Sequence, residues 1–276
     1  MDRPGPRRWR RRSPRRSPRR QGADMTSQRV ATFAAELIAH LRDSLVRHGI
    51  TYGEYHDLKE FVVELGDAAE WHLLLDILFE STVETHNGAG PGASAGAVEG
   101  PFHVPDAPLL YSPCALPQQD DEPGERLRLT GRVRSADGGP LPGAVLDTWQ
   151  ADMAGGYSHF VPALPEHNLR ARVVADDEGR YDIATVVPGA YQVPSAGPSG
   201  RLFALLGMHA WRPAHVHFKI SAPGHRTLTT QLYFAGDPWL DSDVAGGVKD
   251  ELVLRPAPGE HTLEAGHDFV LARAQD

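Results

Sequence analysis

The spacing of apolar side chains between residues 26 and 87 is typical of amphipathic helices. These side chains recur every three or four positions, which places an apolar stripe along one face of each helix. Gly49 ends the first run, and Thr51 with Glu54 forms a capping-box pattern that predicts the start of a second helix. A third helix is predicted over residues 67–83. The N-terminal region is therefore predicted to be a helical module.

From about residue 127 the pattern changes to an alternation of apolar and polar positions. Such alternation is typical of half-buried strands, and here Gly and Pro turns interrupt it rather than long helices. Between the two regions, residues 88–97 read GAGPGASAGA, a composition that predicts a flexible linker. The expected fold class is α+β, with N-terminal helices followed by an all-β sandwich or barrel.

Composition excludes several classes of protein. The single cysteine, Cys114, excludes a disulfide within the chain and cysteine-based zinc sites. The first 22 residues carry a net charge of +9, which leaves −17 for the rest of a chain whose total is −8. An acidic body argues against nucleic-acid binding. No apolar stretch is long enough to cross a bilayer, so we expect no membrane partner.

The first 24 residues form a low-complexity Arg/Ser/Pro tract that is predicted to be disordered. Two functional readings are a polyanion-binding arm and a twin-arginine export signal. An export signal needs an apolar segment after the arginines, and none follows. We expect an extension without a structural role, preceding a helical pattern that begins near Met25, and a cytoplasmic protein.

The strongest chemical feature is the run Arg212-Pro-Ala-His215-Val-His217-Phe. On a strand, residues two apart point to the same face, so both imidazoles face one side while Val216 and Phe218 face the other. Two imidazoles at this spacing are able to bind one metal ion. The pattern alone also suits a pair of surface histidines.

Two tyrosines are candidate partners of this histidine pair. Tyr157 lies in a Gly-Gly-Tyr turn, and Tyr191 lies in a loop rich in Pro and Gly. Two phenolates and two imidazoles form a hard, anionic donor set that suits Fe(III), whose charge lowers the pKa of bound phenols. From the residues alone, a glutamate or aspartate in place of either tyrosine is an equally good reading.

Ordered motifs after Met25 resemble the intradiol ring-cleavage dioxygenases, non-haem Fe(III) enzymes that open catechols between their two hydroxyls. The resemblance rests on motifs spread over nearly the whole remaining chain: Glu99-Gly-Pro-Phe102, Trp149-Gln-Ala-Asp152, Gly156-Tyr-Ser-His-Phe160, Tyr191-x-x-Pro194, Arg212 to Phe218, Thr229-Thr-Gln231 and Gly236-Asp-Pro238.

This resemblance implies roles for particular residues. It implies iron ligation by Tyr157, Tyr191, His215 and His217. It makes Arg212, Tyr191 and Gln231 catalytic residues, with Arg212 stabilising negative charge on the substrate ring. The substrate-binding positions that it implies are Leu73, Asp76, Val98, Gly100, Pro101, Phe102, Val193, Pro194 and Arg212.

The resemblance also implies an organisation and partners. Residues 1–24 are then an extension, residues 25–100 a helical domain and linker that forms a homodimer, and residues 101–276 the β-sandwich catalytic domain. The expected partners are a small aromatic diol and O2.

Two substrate subclasses remain open, and hydroxyquinol is the one we favour over catechol. The loop from Tyr191 to Gly200 and the polar side chain of Asp76 favour hydroxyquinol, which would give maleylacetate. The run Gly156 to Phe160 favours catechol, which would give cis,cis-muconate. A different class also fits part of the chain, because residues 131–145 resemble non-catalytic transthyretin-like binding modules.

Overall fold

The structure is a computed structural model that describes residues 28–88 and 90–274. The extension predicted at residues 1–24 lies outside these ranges. The chain divides into two compact units, with the boundary between Glu60 and Phe61. In the part of the chain that the structure describes, no helix has the length and apolar character needed to cross a bilayer.

Two long helices confirm the first two predicted from the sequence, α1 at Gln28–Arg47 and α2 at Tyr52–Asp67. The capping box of α2 is formed. The backbone N–H of Thr51 donates to Glu54 Oε2 at 2.8 Å, and the N–H of Glu54 donates to Thr51 Oγ1 at 3.3 Å. None of the residues of α1 is buried, so its apolar stripe is exposed.

The third predicted helix, residues 67–83, is wrong in its start and in its continuity. Ala69 has a φ of +56°, a left-handed conformation that separates α2 from the next helix. That helix begins as α3, Trp71–Leu75, continues as a π-helical segment, Asp76–Glu80, and ends as α4, Ser81–Asn87. Apolar spacing cannot reveal a π-helical turn, because such single turns arise from local packing rather than from a distinct periodicity.

The remaining chain is mainly strands, as the alternation predicted. Their bounds are β1 Leu109–Tyr111, β2 Cys114–Ala115, β3 Arg126–Ser135, β4 Val145–Gln150, β5 Arg170–Val174, β6 Arg180–Val186, β7 Tyr191–Gln192, β8 Trp211–Arg212, β9 His215–Ser221, β10 Leu228–Phe234, β11 Val253–Leu254, β12 Ala257–Pro258, β13 Leu263–Gly266 and β14 Phe269–Leu271.

Two sheets form the sandwich. The first has the strand order β1-β5-β4-β9-β10-β11, and the second has the order β12-β13-β3-β6-β2, with β14 also pairing to β3. Leu129 from the second sheet and Val216 and Phe218 from the first share one buried apolar core. The alternation of β9 therefore places its two histidines on the other face of the first sheet, as predicted.

Two local predictions fail. Residues 94–97 are not a flexible linker: the backbone N–H of Ala97 donates to Thr229 O at 3.0 Å, and the Ala97 side chain is buried. The small side chains that suggest flexibility instead allow this close approach to β10. A short helix, α5 at Pro198–Leu205, also lies where the sequence indicated only a loop.

Candidate metal centre and substrate pocket

A row of four residues crosses the outer face of the first sheet. Register pairs Arg170 of β5 with Trp149 of β4, Trp149 with His217 of β9, and His217 with Gln231 of β10. Strands lie about 4.8 Å apart, so neighbouring members of the row are in side-chain contact. The sheet therefore fixes one of the candidate ligands between two rigid neighbours.

Two imidazoles and one phenol converge beside this row. The Nε2 atoms of His215 and His217 lie 3.0 Å apart. Tyr157 Oη lies 3.2 Å from His217 Nε2 and 3.4 Å from His215 Nε2. Three donor atoms with these separations fit around one ion at about 2.1 Å from each, the usual length of a metal–imidazole bond.

Tyr191 lies close to both His215 and Tyr157. Its ring centroid is 5.6 Å from that of His215 and 5.4 Å from that of Tyr157. Gly155 has a φ of +80°, and a Cβ added there would lie 2.7 Å from the Tyr191 Cβ, so a glycine lets the two tyrosine segments approach. Among the described residues, no cluster of three His, Cys, Asp or Glu could hold a metal ion.

The other ring nitrogen of each histidine is also engaged. His215 Nδ1 lies 2.6 Å from Pro213 O, and because a carbonyl only accepts, Nδ1 carries the proton and Nε2 offers its lone pair to the centre. Gln231 Nε2 lies 3.1 Å from His217 Nδ1, and the Trp149 indole stacks on the His217 ring at 4.6 Å. Both rings are therefore held in orientation.

Burial sets the protonation of these groups. Burial, reinforced by Arg212, lowers the pKa of His215 to about 3, and burial also lowers the pKa of His217, so both imidazoles are neutral at pH 7. Burial raises the pKa of Tyr157 and of Tyr191. A cation among these four groups would favour two phenolates, which is the chemistry of a trivalent metal.

Arg212 lies beside the centre in a buried ion pair. Its Nε and Nη2 donate to the two carboxylate oxygens of Asp243 at 2.9 and 3.0 Å, and Nη2 also donates to Gln231 Oε1 at 2.9 Å. Burial opposes both charges, yet each stabilises the other, so the pKa of Arg212 is raised and that of Asp243 is lowered. Asp243 was not among the residues predicted from the sequence, because nothing local distinguishes it from Asp241.

One cavity opens beside Tyr191 and Arg212. All nine positions predicted to bind substrate line it. Three further lining residues were not predicted from the sequence, Ile77, Glu80 and Ala245. Ile77 and Glu80 belong to the π-helical segment, next to the predicted Asp76, and the family motifs did not include them. The catalytic and binding roles of the lining residues remain predictions.

The family model described as "Dioxygenase" matches residues 98–273, and the model described as "Catechol dioxygenase N terminus" matches residues 27–94. The chain belongs to the intradiol ring-cleavage dioxygenases. This membership confirms the α+β fold class and the enzyme class that the sequence motifs predicted, and the transthyretin-like reading is not retained.

Similar proteins in this dioxygenase family differ in the substrate they are named for. The chain is 46% identical to a chlorocatechol 1,2-dioxygenase of Rhodococcus opacus, over 83% of this chain and 91% of the relative. It is 35% identical to a hydroxyquinol 1,2-dioxygenase of a Rhizobium species, over 91% of each. The crystal structure of 3-chlorocatechol 1,2-dioxygenase from Rhodococcus opacus 1CP matches with a TM-score of 0.84 and 37% identity, covering 89% of this chain and 99% of the other. The predicted preference for hydroxyquinol is not confirmed.

Proposed function

We propose that this dioxygenase holds one non-haem Fe(III) through Tyr157, Tyr191, His215 and His217. The observation that carries the proposal is the convergence of two imidazole Nε2 atoms and one phenol oxygen within 3.0–3.4 Å of each other. The donor set fits the ion, because two phenolates offset most of the charge of a trivalent cation.

The chain's own residues then have distinct tasks. Fe(III) held by these four residues would supply a Lewis acid that withdraws electron density from the diol and favours reaction of the ring with O2. Tyr191 Oη accepts one proton of the diol. Arg212, fixed by Asp243, holds a positive charge beside the negative charge that develops on the ring. Phe102 and Val98 line the cavity with buried apolar side chains, which disfavours water beside the site. The product is a ring-opened diacid.

A catechol or a chlorinated catechol is the substrate that we favour. The cavity is lined mainly by apolar side chains, including Leu73, Ile77 and Val193, which suit a ring substituent without hydrogen-bonding groups. The more similar of the two named relatives is a chlorocatechol enzyme. Hydroxyquinol is the second candidate, because Asp76 lines the cavity and offers a carboxyl group to a third hydroxyl.

The visible spectrum of the iron-loaded protein tests the ligand set. Steady-state kinetics with catechol, 4-chlorocatechol and hydroxyquinol test the choice of substrate. The iron-loaded protein is expected to be red, with a phenolate-to-iron charge-transfer band, and to have the highest kcat/KM on one of the two catechols. A colourless protein with bound iron would contradict the ligand set. A tenfold preference for hydroxyquinol would support the second candidate and leave the ligand set unaffected.

We also propose a homodimer formed through α1. Its side chains Phe33, Leu41 and Val46 are 65%, 57% and 82% exposed, and no residue of this 20-residue helix is buried. An apolar helix face of this length is typical of an interface between subunits. Sedimentation analysis should give twice the chain mass, and Leu41→Glu should shift the protein toward the monomer. A parent protein that sediments as a monomer at micromolar concentration would contradict the proposal.

A further inference from the structure

Arg170 is the end member of the row of four residues that crosses the outer face of the first sheet, and it is only 1% exposed. Among the described residues it has no carboxylate partner within 4.0 Å, whereas the equally buried Arg212 has Asp243. Burial lowers the pKa of Arg170 to about 10, so its guanidinium is still charged at neutral pH. A buried cation without a carboxylate in direct contact is unfavourable, so the position of Arg170 next to the site indicates a specific task.

The contacts of Arg170 join a segment that lines the substrate cavity to the segment that carries Tyr157. Its Nη1 donates to the backbone oxygen of Phe102 at 2.7 Å. Its Nε donates to Ser158 Oγ at 2.6 Å, and its Nη2 donates to the backbone oxygen of Ser158 at 3.1 Å. The guanidinium therefore connects the cavity wall at Phe102 with the turn that carries Tyr157.

The same two segments are also in contact through their rings. The rings of Phe102 and Tyr157 stack with centroids 4.4 Å apart and an interplanar angle of 16°. Phe102 lines the cavity, and Tyr157 provides the phenol oxygen near the imidazoles. A change in the position of either segment would therefore change the other ring as well.

We infer that Arg170 is a positioning residue. Its guanidinium donates hydrogen bonds to both segments and so fixes the orientation of the Tyr157 ring and the position of Phe102 in the cavity lining. The inference rests on the proposed ferric site. An arginine suits the task because its planar guanidinium presents several donors in fixed directions. A lysine at the same place has a single ammonium group and cannot reach three acceptors on two segments in the same geometry.

Two variants and a matched control test the inference. Arg170→Lys keeps the positive charge and removes the planar set of guanidinium donors. Ser158→Ala removes one acceptor, Ser158 Oγ, and leaves the arginine unchanged. Arg172→Lys is the control, because Arg172 lies two residues further along β5, and its Nε likewise donates to a backbone oxygen, that of Ala107 at 2.8 Å. Each protein is loaded with Fe(III) and measured for iron content, visible spectrum, thermal unfolding, and kcat and KM with catechol.

In Arg170→Lys we expect retained iron, a displaced charge-transfer maximum and a tenfold to hundredfold lower kcat/KM, as an ångström-scale displacement produces. Ser158→Ala should shift the same quantities less, and Arg172→Lys should match the parent. A lower melting temperature with unchanged spectrum and kinetics in both variants would overturn the inference, because it would show a structural role only. If Arg170→Lys fails to fold, an unchanged Ser158→Ala spectrum overturns it. A parent protein without the band would contradict the ferric site instead.

Discussion

The substrate cavity has one side formed by the first sheet and the strands next to it and another formed by the helical segment at residues 73–80. The two sides differ in how their side chains are hydrogen-bonded. On the sheet side, Arg212 lines the cavity, and its guanidinium contacts His215 and Gln231. On the helical side, Leu73 and Ile77 are apolar, and Asp76 is a half-buried carboxyl group. Glu80 is the one hydrogen-bonded carboxylate among the described lining residues of this side, because its Oε1 accepts from the backbone N–H of Glu99 at 2.7 Å. Polar side chains that bond to one another are kept in one geometry, whereas apolar side chains and a half-buried carboxyl group leave the helical side available to the ring substituents of the substrate. The sheet side therefore suits catalysis, and the helical side suits substrate selection.

Removing a donor from the sheet side should have the largest effect. Tyr157→Phe deletes the phenol oxygen that lies 3.2 Å from His217 Nε2, and His215→Ala deletes one imidazole. With one of four proposed protein ligands absent, either variant is expected to lose the visible band and all measurable turnover. Iron content and absorption spectra check this.

The control for both variants is His225→Ala, whose ring contacts Ser135 on the other sheet rather than the candidate centre. It should keep the parent's iron, colour and activity. Full colour and full iron content in Tyr157→Phe or in His215→Ala would exclude the changed residue as a ligand.

Features of the two sides that depend on neighbouring residues in the sequence were predictable, and features that depend on residues far apart in the sequence were not. The His215-x-His217 pair is local, because strand geometry alone puts both rings on one face. Asp243 is not predictable in this way, because its partner Arg212 is 31 residues away and the contact exists only in the folded chain. The π-helical segment at residues 76–80 is equally hidden from apolar spacing. Asp76 was predicted from the family resemblance alone, and that resemblance did not extend to Glu80.

Asp243→Asn should be the most destabilising change among these predictions. It leaves Arg212 buried without a counter-ion, which costs about 3–5 kcal/mol of the free energy of unfolding. Because the folded-state pKa of Asp243 is lowered, the parent has this stabilisation above the ordinary aspartate pKa of about 4 and loses it as the pH falls further. Urea unfolding at pH 7 and at pH 3 checks both points, and the difference between the two proteins should shrink at pH 3.

The matched control is Asp241→Asn, two residues earlier in the same segment and exposed. It should unfold like the parent at both pH values. Equal stability of Asp243→Asn and the parent at pH 7 would mean that the ion pair contributes nothing net to the fold.

Ile77→Ala tests the apolar part of the helical side. Ile77 is 8% exposed and lines the cavity, so the substitution removes buried apolar volume and should cost about 2 kcal/mol of stability, the lower end of the usual range, because the side chain already borders a cavity. The iron content and the visible band should be unchanged, while KM for catechol rises and the discrimination against bulkier substituted catechols falls. A displaced band would show that the two sides of the cavity are not independent.

Asp76→Ala and Asp76→Asn should have the smallest effect and the most informative one. Burial raises the pKa of Asp76, and it is a carboxyl group that faces the cavity. If this group accepts a hydrogen bond from a third hydroxyl, Asp76→Ala should lower the ratio of kcat/KM for hydroxyquinol over catechol by about 1–3 kcal/mol. Asp76→Asn keeps an acceptor oxygen and should lower the ratio less. It also removes a charge that burial disfavours, so at pH 7 it should melt slightly above the parent, an advantage that vanishes as the parent's carboxyl is protonated at lower pH. An unchanged ratio in both variants would mean that selection on the helical side depends on its apolar residues alone.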